Sequence, residues 1–450
     1  MRRLAWLLPI TLATLAVSAL AQETVHLADI ERFSGVYQLF PGQFIYIQPW
    51  PGGDRKLVYT DEMGQIKELV VTSKNEFSGG LGLRYSTPAE VKITFVRTSE
   101  GNVTHLIRQQ NGLPDQIAKK MESFRREEVN FQNGDVNLAG TLSILSDGAA
   151  HPAIVLIHGT GDTDRNTVLP LVHFLINRGI ALLGFDKRGV GGSTGDWRTA
   201  SIEDLAGDAV AAVKYLQNRK DIDSKRIGLL GASQGGWVVP LAASKFRGIA
   251  FVISVSGPAM SPAEVDSERL IYRLHAKEFP TNAIDEALAL VKLRDEVAEG
   301  RESWENFQAA VEKAKETEWF PYVYVPQSAD SWLFKHWRSL PLDYDPKPVI
   351  ARLHVPVLAL FGALDHTVFP DKNAERWREA LQNGEARDYK IKIFPTGNHM
   401  LLEATTGEES EYPVLKRFVP DFQPVLLDWL REHKIIQTKN PRLLRDSNKL

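Results

Sequence analysis

Ser233 lies at the centre of the stretch GLLGASQGGWVVP, residues 228–240, with Gly231 and Gly235 two positions away on either side. An apolar run typical of a buried strand precedes it, and a run typical of a helix follows. Between a strand and a helix, the glycines of a G-x-S-x-G sequence allow a turn sharp enough to lift the serine hydroxyl above the sheet edge, and a side chain at either glycine would clash. The pattern therefore predicts that Ser233 is a nucleophile rather than an ordinary serine of a glycine-rich loop.

A serine hydroxyl is nearly inert at neutral pH, so it needs a base to accept its proton and a further group to orient that base. Asp365 follows the apolar run VLALFG and His399 follows the run KIKIF, so we expect both beyond the carboxyl ends of strands. The order Ser233, Asp365, His399 is the one that a catalytic triad takes on a doubly wound sheet. His366 is a rival base, but it adjoins Asp365 and would point elsewhere, so we interpret it as a residue at the surface or behind the site.

Attack on a carbonyl group places negative charge on its oxygen, which two fixed backbone N–H groups should stabilise. We expect one donor to be the amide of Gln234, at the start of the helix after the turn. The second should come from the loop after PAIVLIHG, where we assign the amide of Thr160, with Gly159 as the near alternative. His158 in the same loop is interpreted as a residue that braces the loop rather than as a second base.

The stretch FDKRGVGGS, residues 185–193, superficially resembles a loop that binds phosphate groups. It has no lysine after its glycines and the G-x-G-x-x-G spacing fails at Thr194, so we do not expect a nucleotide site. We expect this loop to brace the rim of the site, with Asp186 and Arg188 hydrogen-bonded to neighbouring loops.

The candidate residues belong to a region in which apolar strand-like runs alternate with helical ones. That alternation predicts an α/β fold with a doubly wound, mostly parallel sheet that helices cover on both faces. The helix SIEDLAGDAVAAVKYLQN is expected to start after Ser201 as its N-cap, with Asp204 three residues further on. The alternation breaks after Pro258 and resumes at VPVLALFG, which divides the sheet region into residues 126–258 and 351–433.

Residues 259–350 are predicted to form a helical insertion, placed where a lid would cover the site. Ten of the 41 positions from 304 to 344 are aromatic, against 9% of the whole chain. The rings could form the insertion's own core or line an apolar acyl or aryl pocket, and the two interpretations are compatible. These residues are Trp304, Phe307, Trp319, Phe320, Tyr322, Tyr324, Trp332, Phe334, Trp337 and Tyr344.

Residues 1–21 are predicted to be a signal peptide of the general export route, cleaved before Gln22. Arg2 and Arg3 precede an apolar stretch, and ALA supplies small residues at the cleavage position. A membrane anchor that stays attached is the alternative, but the apolar run has only 17 residues and contains Pro9. The expected location is periplasmic or secreted. Because the chain has no cysteine, disulfides, thiolate metal sites and lipid attachment near the cleavage point are excluded.

Residues 22–125 are predicted to form a separate, small all-β domain, a barrel or a sandwich. Short β-branched or aromatic runs recur there between Gly, Pro, Asn and Asp residues, and we find no catalytic constellation in them. The runs are GQFIYIQPW, KLVYT, IKELVVTS, LGLRYS, VKITFVR and VTHLIRQQ. At the other end of the chain, the polar tail 434–450 is expected to fray.

The composition is that of an ordinary globular protein, with 43% hydrophobic and 24% charged residues. A length of 450 residues favours more than one domain. The net charge of −3 lacks the basic excess that a nucleic-acid partner would call for. The oligomeric state is left open.

The segments HGTGDTDR, DKRGVGGSTG, GASQGG, GALDHTV and GNHM resemble the α/β-hydrolase superfamily, and within it secreted bacterial serine esterases related to dienelactone hydrolases and prolyl-oligopeptidase-type peptidases. The resemblance covers about residues 127–433. It implies an α/β-hydrolase fold and hydrolysis of a small-molecule carboxylic ester through an acyl-enzyme on Ser233, with His399 and Asp365 as base and orienting acid and no metal or organic cofactor.

Two alternatives stay open beside the esterase. A serine peptidase or amidase would use the same triad, but residues 24–125 are too short for the β-propeller that often precedes such peptidases and show no blade repeat. A binding protein on a hydrolase scaffold that has lost its activity is disfavoured by the intact triad.

Overall fold

A computed structural model describes residues 32–49, 57–84, 88–121, 124–166, 171–386 and 388–437. The predicted signal peptide and most of the predicted tail lie outside these residues. Eight antiparallel strands form a closed barrel, in which each strand pairs with the next and the eighth pairs back with the first. They are β1 (Gly35–Phe40), β2 (Gln43–Pro49), β3 (Leu57–Asp61), β4 (Ile66–Ser73), β5 (Glu76–Gly79), β6 (Val91–Arg97), β7 (Val103–Gln110) and β8 (Gln116–Lys120).

Alternating side chains fill the inside of this barrel. Along β6, Val91, Ile93 and Phe95 are buried and the residues between them are partly exposed, which is the two-residue period of a strand with one face in a core. Phe95 also packs against the rings of Phe33 and Phe77, with ring centroids 4.6 and 5.4 Å away. The predicted all-β domain is therefore a barrel rather than a sandwich.

The prediction of a strand at LGLRYS is wrong over its described residues 81–84, which form bends. Leu83 still accepts a hydrogen bond from the N–H of Glu68 in β4 at 2.8 Å, and on the other side these residues lie against residues 413–419, which we call the bridging segment. The N–H of Leu83 donates to the carbonyl of Leu415 at 2.6 Å, and a Cβ on Gly82 would lie 2.7 Å from backbone atoms of the same segment. Leu83 is thus apolar because it is buried between the two domains, and not because it belongs to a strand.

The second domain is built on an eight-stranded sheet in the order β16-β15-β14-β13-β11-β12-β10-β9. The first two strands of this sheet along the chain, β9 and β10, form an antiparallel hairpin, β10 is antiparallel to β12, and the other neighbours are parallel. This arrangement confirms the predicted doubly wound, mostly parallel sheet. The strands are β9 (Phe124–Asn133), β10 (Val136–Leu145), β11 (His151–Ile157), β12 (Ala181–Phe185), β13 (Ile222–Ala232), β14 (Val252–Val255), β15 (Val357–Gly362) and β16 (Tyr389–Phe394).

Helices cover both faces of the sheet. The helices are α1 (Val172–Ile176), α2 (Ile202–Gln217), α3 (Gly235–Lys245), α4 (Pro262–His275), α5 (Thr281–Ala298), α6 (Trp304–Ala314), α7 (Trp332–Ser339), α8 (Lys347–Ala351), α9 (Pro370–Gln382) and α10 (Phe422–Glu432). One hydrophobic cluster packs α2, α3, α8 and α9 on one face, and another packs α1 and α10 on the other. Within the described ranges, no helix is long and apolar enough to cross a bilayer.

The start of α2 shows how a local sequence signal fixes an element. The Ser201 side chain accepts a hydrogen bond from the N–H of Asp204 at 3.1 Å, and the Asp204 carboxylate accepts one from the N–H of Ser201 at 2.9 Å. These two bonds satisfy backbone donors that the first turn of a helix would leave without a partner. The predicted N-cap is confirmed.

Helices α4 to α7 are inserted between β14 and β15 and have their own hydrophobic core. Most of the aromatic residues noted in the sequence belong to that core, with Phe307 and Phe334 fully buried. Tyr344 instead packs on the sheet domain. Trp332 is 49% exposed and its ring meets that of Trp197 edge-on, with centroids 5.7 Å apart. The interpretation that these rings form the insertion's own core therefore holds for most, but not all, of them.

The bridging segment 413–419 joins the barrel to the loop that carries His399. Backbone hydrogen bonds of 2.9 Å tie it to Gly64 and Ile66 of the barrel. On its other side it makes backbone hydrogen bonds of 2.9 Å with residues 401–403. The barrel is thus connected to the His399 loop through two successive rows of backbone hydrogen bonds.

Candidate active site

Ser233 occupies the sharp turn between β13 and α3. Its φ is +52°, in the left-handed region that non-glycine residues seldom adopt and that is often found at functional sites. A Cβ on Gly231 would lie 2.6 Å from the carbonyl oxygen of Gly235, and one on Gly235 would lie 2.9 Å from that of Ile157, so both glycines are required sterically, as the sequence predicts. The N–H of Ser233 donates to Val255 at 3.0 Å and holds the turn against β14.

Asp365 is fully buried in the loop after β15. Its Oδ1 accepts hydrogen bonds from the N–H groups of Thr367 and Val368, both at 2.8 Å. Its Oδ2 lies 2.8 Å from Nδ1 of His399. The two backbone donors fix the carboxylate so that its second oxygen is directed at the imidazole.

His399 lies in the loop after β16, with 18% of its side chain exposed. The hydroxyl of Ser256 donates to its carbonyl oxygen at 2.9 Å, and both Ser256 and Leu401 have left-handed φ values, of +49° and +56°. Because Nδ1 faces Asp365, Nε2 is the ring nitrogen left for a second partner. The three predicted triad residues follow three parallel strands at one edge of the sheet, and the structure joins two of them by a hydrogen bond.

His366, the rival base, is turned toward the insertion. Its ring stacks on that of Tyr272 of α4, with centroids 4.1 Å apart and planes inclined by 12°. Its Nε2 is 2.8 Å from the carbonyl oxygen of Thr406. These contacts agree with its interpretation as a residue at the surface or behind the site, and not as the base.

The candidate oxyanion residues lie around the serine turn. Gln234 is buried at the start of α3, immediately after Ser233. A Cβ on Gly159 would lie 3.5 Å from the Cβ of Ser233, which places the loop containing Gly159 and Thr160 directly beside Ser233. Backbone N–H groups from a helix start and from an adjacent loop are suited to bind a developing oxyanion.

A residue that the sequence reasoning missed lies behind these candidates. The Nζ of Lys187 donates to the carbonyl oxygen of Gly159 and to Oε1 of Gln234, both at 2.8 Å. A signal was present in the sequence: Lys187 comes two positions after a buried strand, where a side chain is often buried. The prediction for this loop considered only Asp186 and Arg188 and passed over the lysine between them.

His158 is buried beneath the same loop. Burial and the nearby charge of Lys187 lower its pKa to about 4, so the imidazole is neutral at neutral pH. Its Nε2 donates to the carbonyl oxygen of Phe185 at the end of β12. This contact braces the loop, as expected.

The loop after β12 braces the rim: Asp186 bonds to a neighbouring loop as predicted, whereas Arg188 bonds to a helix rather than to a loop. Asp186 accepts hydrogen bonds from the Arg165 guanidinium and from the N–H of Gly192, each at 2.8 Å. Arg188 pairs with the buried carboxylate of Asp208 on α2, at 2.5 and 2.9 Å. Charge-assisted bonds of this kind orient a loop because both partners are held away from water.

A sequence profile of the Alpha/beta hydrolase family matches residues 154–409 of the chain. The esterase EstD of Thermotoga maritima is 28% identical over 361 residues, which cover 78% of this chain and 72% of that protein. The quorum-quenching protein AidA of Acinetobacter baumannii is 33% identical over 128 residues, 28% of this chain and 42% of that protein.

Solved structures with a similar arrangement include the alpha/beta hydrolase GrgF from Penicillium sp. sh18, which is 19% identical with a TM-score of 0.45. That similarity covers 69% of this chain and 99% of GrgF. The Pyrococcus furiosus esterase Pf2001 is 17% identical with a TM-score of 0.45, over 69% of this chain and 91% of that one.

Proposed function

The chain belongs to the alpha/beta hydrolase family, and we propose that it is an exported serine hydrolase that cleaves carboxylic esters. The similarity to the Thermotoga maritima esterase supports ester chemistry. The observation that carries the proposal is the 2.8 Å contact between Asp365 and His399 at the sheet edge where Ser233 occupies its strained turn. A base oriented by a buried carboxylate, at the same sheet edge as a partly buried serine, is the arrangement that acyl transfer needs.

In the proposed mechanism, the Ser233 hydroxyl oxygen attacks the ester carbonyl while Nε2 of His399 accepts the hydroxyl proton. Asp365 holds the imidazole in one tautomer and stabilises its cation. The tetrahedral intermediate collapses to an acyl-enzyme, and the imidazolium gives its proton to the departing alcohol. Water then attacks the acyl group with His399 again as base, which releases the acid and restores Ser233.

The negative charge of both tetrahedral intermediates would be met by two backbone donors. The N–H of Gln234 is one, and the N–H of Thr160 is the other, with Gly159 as the alternative. Such donors are effective because they are already oriented and shielded from water before the charge forms. The insertion, which faces the loops after the strands, would act as the lid that provides this shielding.

Replacement of the nucleophile tests the proposal. Ser233→Ala should lower kcat on a p-nitrophenyl ester by roughly 10⁴-fold or more and abolish labelling by a fluorophosphonate. Ser244→Ala, on the same helix but with its hydroxyl bonded to the carbonyl of Leu241, is the matched control and should keep both properties. Hydrolysis that survives Ser233→Ala undiminished would overturn the assignment.

The same assay separates ester from amide chemistry. An amine is a poorer leaving group than a phenolate or an alcohol, so a peptidase must deliver a proton to it accurately. We expect the wild-type protein to hydrolyse p-nitrophenyl esters much faster than matched p-nitroanilide peptides. Comparable rates on the two would favour the peptidase alternative.

Export is part of the proposal and rests on the sequence of residues 1–21. Cleavage by a signal peptidase would leave a mature chain that begins at Gln22. Amino-terminal sequencing of the protein from the periplasmic or culture fraction should give that residue. A chain that retains Arg2 and Arg3 in the cytoplasmic fraction would contradict export.

A further inference from the structure

Lys187 is a buried amine that the mechanism above leaves without a role. It follows β12 and is only 2% exposed. Its Nζ reaches the carbonyl oxygen of Gly159 and Oε1 of Gln234 at 2.8 Å each, and it lies 4.9 Å from the centre of the Trp197 ring. It therefore joins the two chain segments that carry the candidate oxyanion donors.

The contact with Gly159 bears on the direction of a neighbouring N–H group. In a trans peptide the carbonyl of one residue and the N–H of the next point in opposite directions. When Lys187 holds the Gly159 carbonyl from one side, the N–H of Thr160 must point to the other side. Loss of that hold would let the peptide rotate, and rotation would turn the donor away from a substrate carbonyl.

We propose that Lys187 is a positioning residue, which fixes the Gly159–Thr160 peptide and the Gln234 side chain so that the oxyanion donors are oriented before substrate binds. The inference rests on the proposed serine hydrolase function. Lys187 would act through one peptide group and one side-chain amide, and would not touch the substrate.

The surroundings of Lys187 allow this role in either protonation state. Burial lowers its pKa to about 7, and Asp162 opposes that shift. His158 and His336 also lie close enough for Lys187 to lower their pKa values, and the Trp197 ring covers the amine. A charged amine has three N–H donors and a neutral one has two, so both forms can serve the two acceptors.

A methionine at position 187 provides the test, since it keeps the length of the side chain and removes the donors. An amine buried without a directly bonded carboxylate contributes little to stability, so we expect Lys187→Met to fold. Its kcat/KM on a p-nitrophenyl ester should fall about 10- to 100-fold through kcat, with KM little changed, because removal of a whole oxyanion donor costs about 10²- to 10³-fold and the loss of its positioning costs part of that.

A second substrate distinguishes positioning from general damage. In the matched thionoester, sulfur replaces the carbonyl oxygen, and sulfur is a weak acceptor that gains little from N–H donors. Lys187→Met should therefore reduce thionoester hydrolysis by only a few fold. The ratio of ester to thionoester kcat/KM should fall about 10-fold or more relative to the wild type.

The neighbouring Arg188→Met is the control, because Arg188 bonds to Asp208 and contacts neither Gly159 nor Gln234. It should lower the melting temperature and leave the substrate ratio unchanged. Equal losses on both substrates in Lys187→Met, or no loss, would overturn the inference. If the methionine variant does not fold, the same ratio is measured for Lys187→Gln, which keeps a shorter donor and should show a smaller change of the same sign.

Failure of the Lys187 inference can be distinguished from failure of the proposed serine hydrolase function. If Ser233→Ala retains full activity, the serine mechanism is wrong whatever Lys187 does. If Ser233→Ala is inactive and the ratio in Lys187→Met is that of the wild type, only the role of Lys187 is wrong.

Discussion

The barrel and the helical insertion are both connected to the loops that carry the candidate triad, but by different kinds of contact. The barrel is joined by backbone hydrogen bonds through the bridging segment 413–419. The insertion is joined through side chains: the Arg376 guanidinium contacts the Glu264 carboxylate at 2.7 and 3.1 Å, and Tyr272 stacks on His366. We infer that the barrel is a fixed support for the His399 loop.

Side-chain contacts of the insertion can break and re-form at small cost. A partly exposed ion pair contributes about 0–1 kcal/mol, and an aromatic pair about 0.5–1.5 kcal/mol beyond its buried area. The bridging segment makes several backbone hydrogen bonds to its two neighbours, each worth about 0.5–1.5 kcal/mol, so separating it costs more than breaking a single side-chain contact. We therefore expect the barrel to support the geometry of the His399 loop and the insertion to separate from the sheet domain more readily.

The largest expected effect comes from breaking the barrel contact. In Gly82→Ala, the new Cβ would lie 2.7 Å from backbone atoms of Pro413 and Val414, so the barrel and the bridging segment must move apart. We expect the free energy of unfolding to fall by about 1–3 kcal/mol, and kcat to fall as well because the His399 loop loses its support. Chemical denaturation and ester kinetics measure the two effects.

Gly112→Ala is the matched control in the barrel. Gly112 has a φ of +81° and open space around its Cβ position, so alanine costs only backbone strain of about 1–2 kcal/mol. It should lower stability and leave kcat unchanged. If both variants keep the wild-type kcat, the barrel does not support the His399 loop.

An effect of intermediate size is expected on the pH dependence of folding stability, to which a buried histidine beside the barrel and another in the insertion contribute. Burial lowers the pKa of His173, on α1 beside the barrel, to about 3, and burial together with Lys187 lowers that of His336, in the insertion, to about 4. The unfolded chain takes up these protons below about pH 6.5, so stability is present above that pH and is lost as the pH falls, by about 1.4 kcal/mol per pH unit and histidine.

His173→Phe and His336→Phe should each weaken this acid sensitivity. At pH 5, relative to pH 8, each variant should lose about 1–2 kcal/mol less than the wild type, and the His336 contribution should end near pH 4 while that of His173 continues lower. His275→Gln, at an exposed position of α4, should follow the wild-type curve. Denaturation midpoints at several pH values provide the measurement. Plots of stability against pH that run parallel to the wild-type plot for His173→Phe and His336→Phe would contradict the prediction.

The smallest effect on stability is expected at the insertion contact. Tyr272→Leu removes the ring stacked on His366 and the hydroxyl that donates to Glu408 at 2.8 Å. We expect a loss of less than about 1 kcal/mol in global stability and faster proteolysis within α4 to α7. Tyr324→Leu, at a position that is 52% exposed, is the control and should leave cleavage unchanged. Unaltered proteolysis of Tyr272→Leu would mean that these side chains do not hold the insertion.

The sequence predicts those features that depend on a few neighbouring residues. The N-cap at Ser201 and the steric need for Gly231 and Gly235 are local, because a capping side chain and a tight turn involve only residues a few positions apart. The parallel sheet also follows from the sequence, since alternating apolar strands and helices have few other ways to pack.

Features that depend on distant contacts could not be predicted. The apolar residues of LGLRYS resemble a strand, yet Leu83 is buried against a segment more than 300 positions away in the chain. Lys187 looks like one more charge in a glycine-rich loop until Gly159 and Gln234 are placed on either side of its amine. Burial that comes from another domain or loop leaves no periodic signal in the residues themselves.

The strand order of the open sheet bears on how copies of this protein behave at high concentration. An unpaired outer strand invites cross-chain pairing and aggregation unless charges discourage it. The outermost strand β9 carries Arg125, which pairs with Glu127 and Asp221, and β16 at the opposite rim carries Lys390 and Lys392. The described barrel strands close on themselves, and the charges on β9 and β16 disfavour pairing of these two outer strands with another copy of the chain.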